Sequence, residues 1–130
     1  MTDPIADMII RLKNAAMARR EVVSMPMSKL KLAIAQKLKQ RGYLSEVRTH
    51  GKNVTKTIEV VLARGQGGSY RITDVKRISK PGMRVYRGAM EMRPVRGGTG
   101  TALISTPKGV LFGDEARKEK VGGEVLFEIW

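Results

Sequence analysis

Apolar positions near the amino terminus follow a helical period: Ile5, Met8, Ile9 and Leu12 share one face, with Arg11, Lys13 and Asn14 beside them. Thr2 or Asp3 can cap this helix, Pro4 suits its first turn, and Asp7 complements the positive end of its dipole. The pattern predicts an end near Ala18. Glu21-Val22-Val23-Ser24-Met25 reads as a short strand closed by Pro26. Ser28 then caps a second helix that Gly42 stops, with Leu30, Ala33, Ile34 and Leu38 inward and Lys29, Lys31, Lys37 and Lys39 outward. Residues 43–47 and 55–62 have strand composition, and Gly51-Lys52-Asn53 between them signals a hairpin. The order is α-β-α-β-β, which implies a right-handed crossover and a small sheet with helices on one face.

After Gly65-Gln66-Gly67-Gly68-Ser69 the pattern changes to short strands with frequent turn signals. Residues 70–78 and 84–86 flank a Lys80-Pro81-Gly82 turn. Thr101-Ala102-Leu103-Ile104 reads as a buried strand stopping at Ser105-Thr106. Pro107-Lys108-Gly109 then supplies a turn of fixed φ followed by a permissive residue. Val110-Leu111-Phe112 is the returning strand. Gly113-Asp114 caps a short helix from Glu115 to Val121 that Gly122 can close in a left-handed conformation. The last six residues form a final strand. The expected fold is α+β: an amino-terminal α-β-α-β-β lobe over 1–64, a linker at 65–69, and, packed with the first lobe, a β-rich carboxy-terminal lobe over 70–130 carrying one short helix.

Composition narrows the partners. Twenty-five Lys and Arg against twelve Asp and Glu leave a net charge of +13 on 130 residues. Such a charge repels itself unless a polyanion shares it, which points to nucleic acid or an anionic membrane. Hydrophobic residues make up 42%, enough for a core, while aromatics at 5% indicate aliphatic packing. The chain has no cysteine, so thiolate chemistry and disulfides are excluded, and His50 is the one histidine. Acids at Asp3 and Asp7 precede the first base, the wrong order for a signal peptide. No apolar run approaches the roughly 20 residues of a membrane span. A soluble cytosolic protein is expected.

No convergent catalytic set is present. Ser105-x-x-Lys108 has a Ser-Lys spacing found in penicillin-binding proteins, but the chain is too short for that scaffold and lacks Ser-Asp-Asn. The glycines at 65–68 and 97–100 are not followed by Lys-Ser or Lys-Thr at phosphate-loop spacing. Asp74 and Asp114 lack evident carboxylate partners. The expectation is no enzyme, no cofactor, no metal and no small-molecule substrate.

Binding chemistry is better represented. Residues 71–96 carry Arg71, Lys76, Arg77, Lys80, Arg84, Arg87, Arg93 and Arg96 against Asp74 and Glu91. With Tyr86 among them they make a platform for RNA backbone and one stacked base or ribose. In the last third, Ser105, Thr106, Lys108, Gly109, Gly122, Gly123 and Glu124 are the polar or glycine positions left at strand ends. Hydroxyls and an ammonium can donate to phosphate and sugar oxygens, with Gly109 permitting close approach. Glu124 can accept from a base amino group or ribose hydroxyl, or orient Lys108 or an arginine. By residue type alone the turn also fits an ordinary polar connection, and Glu124 a solvated strand end. Lys29 and Lys31, two apart on a helix, point in different directions, so one is expected to meet RNA and the other solvent.

Several blocks resemble one family. Ser105-Thr106-Pro107-Lys108-Gly109-Val110, Glu115-Ala116-Arg117-Lys118 and Gly122-Gly123-Glu124-Val125 are similar to ribosomal protein eight of the bacterial small subunit. So are Asp3-Pro4-Ile5-Ala6-Asp7-Met8, Met25-Pro26-Met27-Ser28-Lys29-Leu30-Lys31 and Arg77-Ile78-Ser79-Lys80-Pro81-Gly82-Met83-Arg84-Val85-Tyr86. The blocks span nearly the whole chain, in order. The resemblance implies a structural protein of the cytoplasmic ribosome that binds the central domain of 16S ribosomal RNA at an irregular helix and helps it assemble. It also implies neighbouring small-subunit proteins as partners. Some members repress their own messenger RNA, which adds that operon RNA as a candidate partner. The resemblance favours RNA contact by Ser105, Thr106, Lys108 and Tyr86, and contact or an orienting role for Glu124. Relatives commonly read Ser-Thr-Ser-Lys-Gly at the turn; Pro107 here removes one hydroxyl and one backbone donor, so it takes no hydrogen-bonding role. The competing expectations are a non-specific nucleic-acid chaperone and a basic module on anionic membranes. The membrane module would need an exposed amphipathic helix, whereas both helices here need their apolar faces for the core.

Overall fold

The computed structural model describes residues 2–130, apart from the Asn53 side chain. The fold is α+β. Contacts divide the chain into Asp7–Thr73 and a second unit of Asp74–Trp130 with the residues through Ala6.

In the first unit, α1 (Pro4–Met17) buries Met8, Ile9, Leu12 and Ala15 along one stripe. Its start lies in the other unit, where Asp3 caps it by accepting from the Ala6 amide at 3.1 Å. Arg19, at φ +57°, ends it, with the Arg20 amide returning to the Ala15 carbonyl at 2.8 Å. After β1 (Val22–Pro26) comes α2 (Lys29–Gln40), where Ser28 Oγ accepts from the Lys31 amide at 3.1 Å. Gly42, at φ +82°, closes α2 as expected.

The buried stripe of α2 is not the expected one. It consists of Lys31, Ile34, Ala35 and Leu38, while Leu30 is exposed. Two stripes one residue apart both contain Ile34 and Leu38. The one chosen trades Leu30 for the aliphatic stem of Lys31, whose residue is 7% exposed.

Strands β2 (Leu44–His50) and β3 (Thr57–Leu62) complete this unit. The sheet order is β1-β3-β2 with β3 antiparallel to both neighbours. Strands β1 and β2 are therefore parallel, and their crossover through α2 leaves room for β3 between them. Ile58, Val60 and Leu62 of β3 point into the core at period two. Residues 65–69 fold into a tight turn, where the Gly65 amide donates to the Ser69 carbonyl at 2.6 Å and Arg64 bridges to Tyr70. The contact boundary lies beyond them, at Thr73 and Asp74.

The second unit is built on one antiparallel sheet of β4 (Val75–Arg77), β5 (Tyr86–Arg87), β6 (Thr101–Thr106), β7 (Gly109–Phe112) and β8 (Gly123–Ile129). Its order is β4-β8-β6-β7, with β5 also on β8. Strands β4 and β5 are shorter than their composition suggests. Met92, Val95, Ala102, Ile104, Ala116 and Val125 form a core, with Ile78, Leu111, Val121 and Trp130 packed against it. The short helix α3 (Gly113–Lys118) begins where the Phe112 amide donates to Glu115 Oε1 at 2.9 Å. Its left-handed closing residue is Lys120, at φ +59°, not Gly122; the Val121 amide returns to the Ala116 carbonyl at 3.0 Å. The helix is shorter than expected, so its closing turn arrives two residues early. Among the described residues no helix is long and apolar enough to cross a membrane.

Candidate nucleic-acid interface

The register of β8 builds the polar surface. Leu103 pairs with Phe127, but Ile104 pairs with Val125, so Leu126 is an extra residue in β8. Beyond this bulge Ser105 stands opposite Glu124, and on the other side of β8 Glu124 stands opposite Tyr86. Directly opposed residues of antiparallel strands project from the same face. Ser105, Glu124 and Tyr86 thus form one lateral row across β6, β8 and β5, from segments far apart in sequence. Tyr86 is 68% exposed.

Glu124 is held from two sides. Ser79, fully buried, donates its hydroxyl to Glu124 Oε2 at 2.5 Å and accepts from the Val85 amide at 3.1 Å. Arg84 Nη1 donates to the same carboxylate oxygen at 3.0 Å. Burial pushes the Glu124 carboxyl up, but the bonds from Ser79 and Arg84 and the charges of Arg84 and Arg77 hold it below the ordinary carboxylate range. An ionised acceptor is therefore fixed in the row, with a cation beside it. This is the orienting pair with an arginine that the sequence leaves open; Lys108 is not the partner.

The β6–β7 hairpin lies at the end of this row. Thr106 Oγ1 donates to the Gly109 carbonyl at 2.7 Å and accepts from the Lys108 amide at 3.1 Å, so its hydroxyl also organises the turn. Gly109 has φ +101° and no atom within 4 Å of a built Cβ, which leaves its backbone bare on the outer side. Lys108 is exposed and meets Glu119 at 3.7 Å, a loose surface pair of little energetic weight. Among the described residues the Ser105 hydroxyl has no hydrogen-bond partner.

Gly122 and Gly123 serve the protein's own packing. A Cβ on Gly122 would lie 2.6 Å from the Arg87 carbonyl oxygen, and one on Gly123 would lie 2.1 Å from that of Ser105. They are glycine because neighbouring strands press against them, and both are partly covered. This close packing accounts for glycine at both positions.

Arg77 is corrected. Its side chain is only 9% exposed, and Nε and Nη2 grip the Asp3 carboxylate at 3.0 and 3.2 Å. Nη1 donates to the carbonyl of Leu126, the bulged residue, which also accepts from the Ile78 amide. Arg77 braces the sheet and the start of α1; it is not part of an open cationic ridge. Arg87 is half-buried beside Gly123, and Arg84 is exposed. On α2, Lys29 is exposed and Lys31 lies on the buried stripe, so Lys29 is the one of the pair facing outward.

Sequence inspection missed the role of Ser79. It lies 45 residues from Glu124, and nothing local marks it as a ligand of that carboxylate. The bulge at Leu126 left no signal either. Among the described residues no three of His, Asp and Glu come together as a metal site.

The family of ribosomal protein S8 matches this chain over residues 3–130. The chain is 48% identical over 130 residues to the small ribosomal subunit protein uS8 of Exiguobacterium sibiricum, covering 100% of this chain and 98% of the relative. The uS8 of Mycoplasmopsis agalactiae is also 48% identical, and that of Acidobacterium capsulatum 42%, each with the same coverage of 100% and 98%.

Proposed function

The chain belongs to the ribosomal protein S8 family, and from that premise we propose that it is a structural constituent of the small ribosomal subunit that binds 16S ribosomal RNA through its carboxy-terminal unit. It acts by recognition and not by catalysis, in the cytoplasmic ribosome with ribosomal RNA and neighbouring subunit proteins as partners. Its target is one irregular helix in the central domain of that RNA, which it holds in the conformation that assembly requires. The look-alike helix of its own operon messenger RNA is a second ligand for the same surface.

The observation that carries this is the row Ser105–Glu124–Tyr86 beside the Thr106–Gly109 hairpin. The row offers a hydroxyl, a fixed carboxylate and an exposed ring at neighbouring positions. Phosphates repel a carboxylate, so a held Glu124 makes sense against ribose hydroxyls or base amino groups on a wide, shallow groove. Lys108, Arg84, Arg87 and Lys29 add attraction to phosphates, which sets affinity and its salt dependence more than its choice of sequence. A lone basic patch would support the non-specific chaperone; an anchored acid at the centre supports specific reading.

The test is affinity for a central-domain fragment and for unrelated duplex RNA across a salt series. The proposal expects the fragment to be preferred at every salt concentration. Equal affinities throughout would show a non-specific binder.

A further inference from the structure

The first unit gathers arginines at one end of its sheet from four stretches of chain. Arg19 and Arg20 follow α1, Arg41 follows α2, Arg64 follows β3, and Arg71 follows the turn at 65–69. Backbone bonds bring these stretches together. The Leu62 amide donates to the Glu21 carbonyl at 2.8 Å, the Ala63 amide to Tyr43 at 3.1 Å, and the Arg71 amide to Ala63 at 2.9 Å. Glu21 approaches Arg64 at 4.0 Å with both side chains exposed, which neutralises little.

Beside them is a cleft of about 320 Å³ lined by Arg19, Arg64, Gly67, Gly68, Ser69 and Tyr70. The guanidinium of Arg64 lies 4.8 Å from the centre of the Tyr70 ring and donates to the Gly68 carbonyl at 3.1 Å and the Tyr70 hydroxyl at 3.2 Å. Arg64 is thereby a fixed cationic plane. Gly67 and Gly68, at φ +80° and +82°, have nothing within 4 Å of a built Cβ, so this wall is bare backbone. Arg19 occupies the left-handed position that glycine occupies at the end of α2, which sets a basic side chain on the rim.

We propose that this cleft takes one nucleotide of an RNA strand, as a contact separate from the carboxy-terminal row. The base stacks on the Arg64 plane, Arg19 meets its phosphate, and Ser69 and the glycine backbone face the ribose. An acidic peptide would use the charges alone; the stacked plane and bare backbone suit a flat base on a sugar. The volume lies at the small end of ligand pockets, which fits one nucleotide. The proposal rests on the protein binding RNA, but not on the carboxy-terminal surface being the binder.

The full-length protein is bound to small-subunit ribosomal RNA carrying thiouridine, irradiated and digested with trypsin. Nucleotides are expected on the peptide of residues 65–71, released by cleavage after Arg64 and Arg71. Arg19→Gly, which suits the left-handed backbone, should lower that yield several-fold. It should also flatten the slope of log affinity against log salt by about 0.7–0.9. The peptide of residues 97–108 reports separately on the hairpin. Adducts there and none on 65–71 overturn the cleft alone, and adducts on neither overturn both readings. An unchanged yield in Arg19→Gly also overturns the cleft.

Discussion

Ser105 stands directly opposite Glu124 because β8 carries one residue more than β6 between Leu103 and Ser105. Without the bulge at Leu126 the pairing of Leu103 with Phe127 would continue, and Ser105 would face Val125. The carbonyl of the bulged residue, Leu126, accepts from Arg77. One inserted residue thus aligns the polar row, and Arg77 is bonded to both that residue and Asp3.

Glu124→Ala should lower affinity for the cognate RNA helix by about 1–3 kcal/mol if the carboxylate meets a base edge or ribose. Binding to unrelated duplex should be unchanged or slightly tighter, since an acid has gone. Titration against both RNAs at one salt concentration checks this. An equal loss on both would make Glu124 a support for folding and not a reader.

Arg77→Ala should act on stability. It leaves Asp3 partly buried without its cation, a loss of about 3 kcal/mol, at the low end for breaking a buried pair. Urea unfolding should show an earlier midpoint, while the salt dependence of RNA binding stays as it was. A flattened salt slope with unaltered stability would return Arg77 to the RNA surface.

Two glycines should respond differently to alanine. At Gly123 the new Cβ would lie 2.1 Å from the Ser105 carbonyl oxygen, so β6 and β8 must separate. A loss on the order of 3 kcal/mol is expected, with the Ser105–Glu124 pairing disrupted and RNA affinity lost. At Gly109 the space is open and only the positive φ opposes a side chain, so the loss should be about 1–2 kcal/mol. Thermal unfolding of both variants ranks them; the reverse order would contradict the packing described.

Acid should weaken the fold. In Asp3, burial pushes the carboxyl up, but the hydrogen bond and charge of Arg77 and the α1 amides hold it below its ordinary value; Glu124 is lowered likewise. Both carboxyls are more acidic folded than unfolded. Their contribution is complete above the ordinary carboxylate range and disappears as pH falls below about 4, through the folded values. Urea unfolding from pH 7 to 3 should show this decline, and Asp3→Asn with Glu124→Gln should make it shallower. Stability rising below pH 4 would contradict the assignment.

Local signals were legible in the chain and long-range ones were not. Asp3, Ser28 and Gly42 announce helix ends because capping depends on residues within a few positions. Pro107 and Gly109 announce the hairpin for the same reason. The inward position of Lys31 is not legible because two apolar stripes share Ile34 and Leu38, and only tertiary packing chooses between them. Gly122 has the residue type of a helix end, but the helix stops earlier and the glycine answers the Arg87 backbone. Arg77 looked like part of a basic ridge because its partner lies 74 residues away. The positions of Ser105, Glu124 and Tyr86 in one row depend on sheet order and a bulge, which no window of sequence contains.

The absence of cysteine makes the most direct test practical. Pro107→Cys places a single thiol at the exposed tip of the β6–β7 hairpin, where an iron chelate can be attached without touching Ser105, Glu124 or Tyr86. Hydroxyl radicals generated there on the protein bound to 16S ribosomal RNA should cut the strands of one central-domain helix. Cuts scattered over the RNA, or none above background, would contradict the claim that this row and its hairpin face that helix.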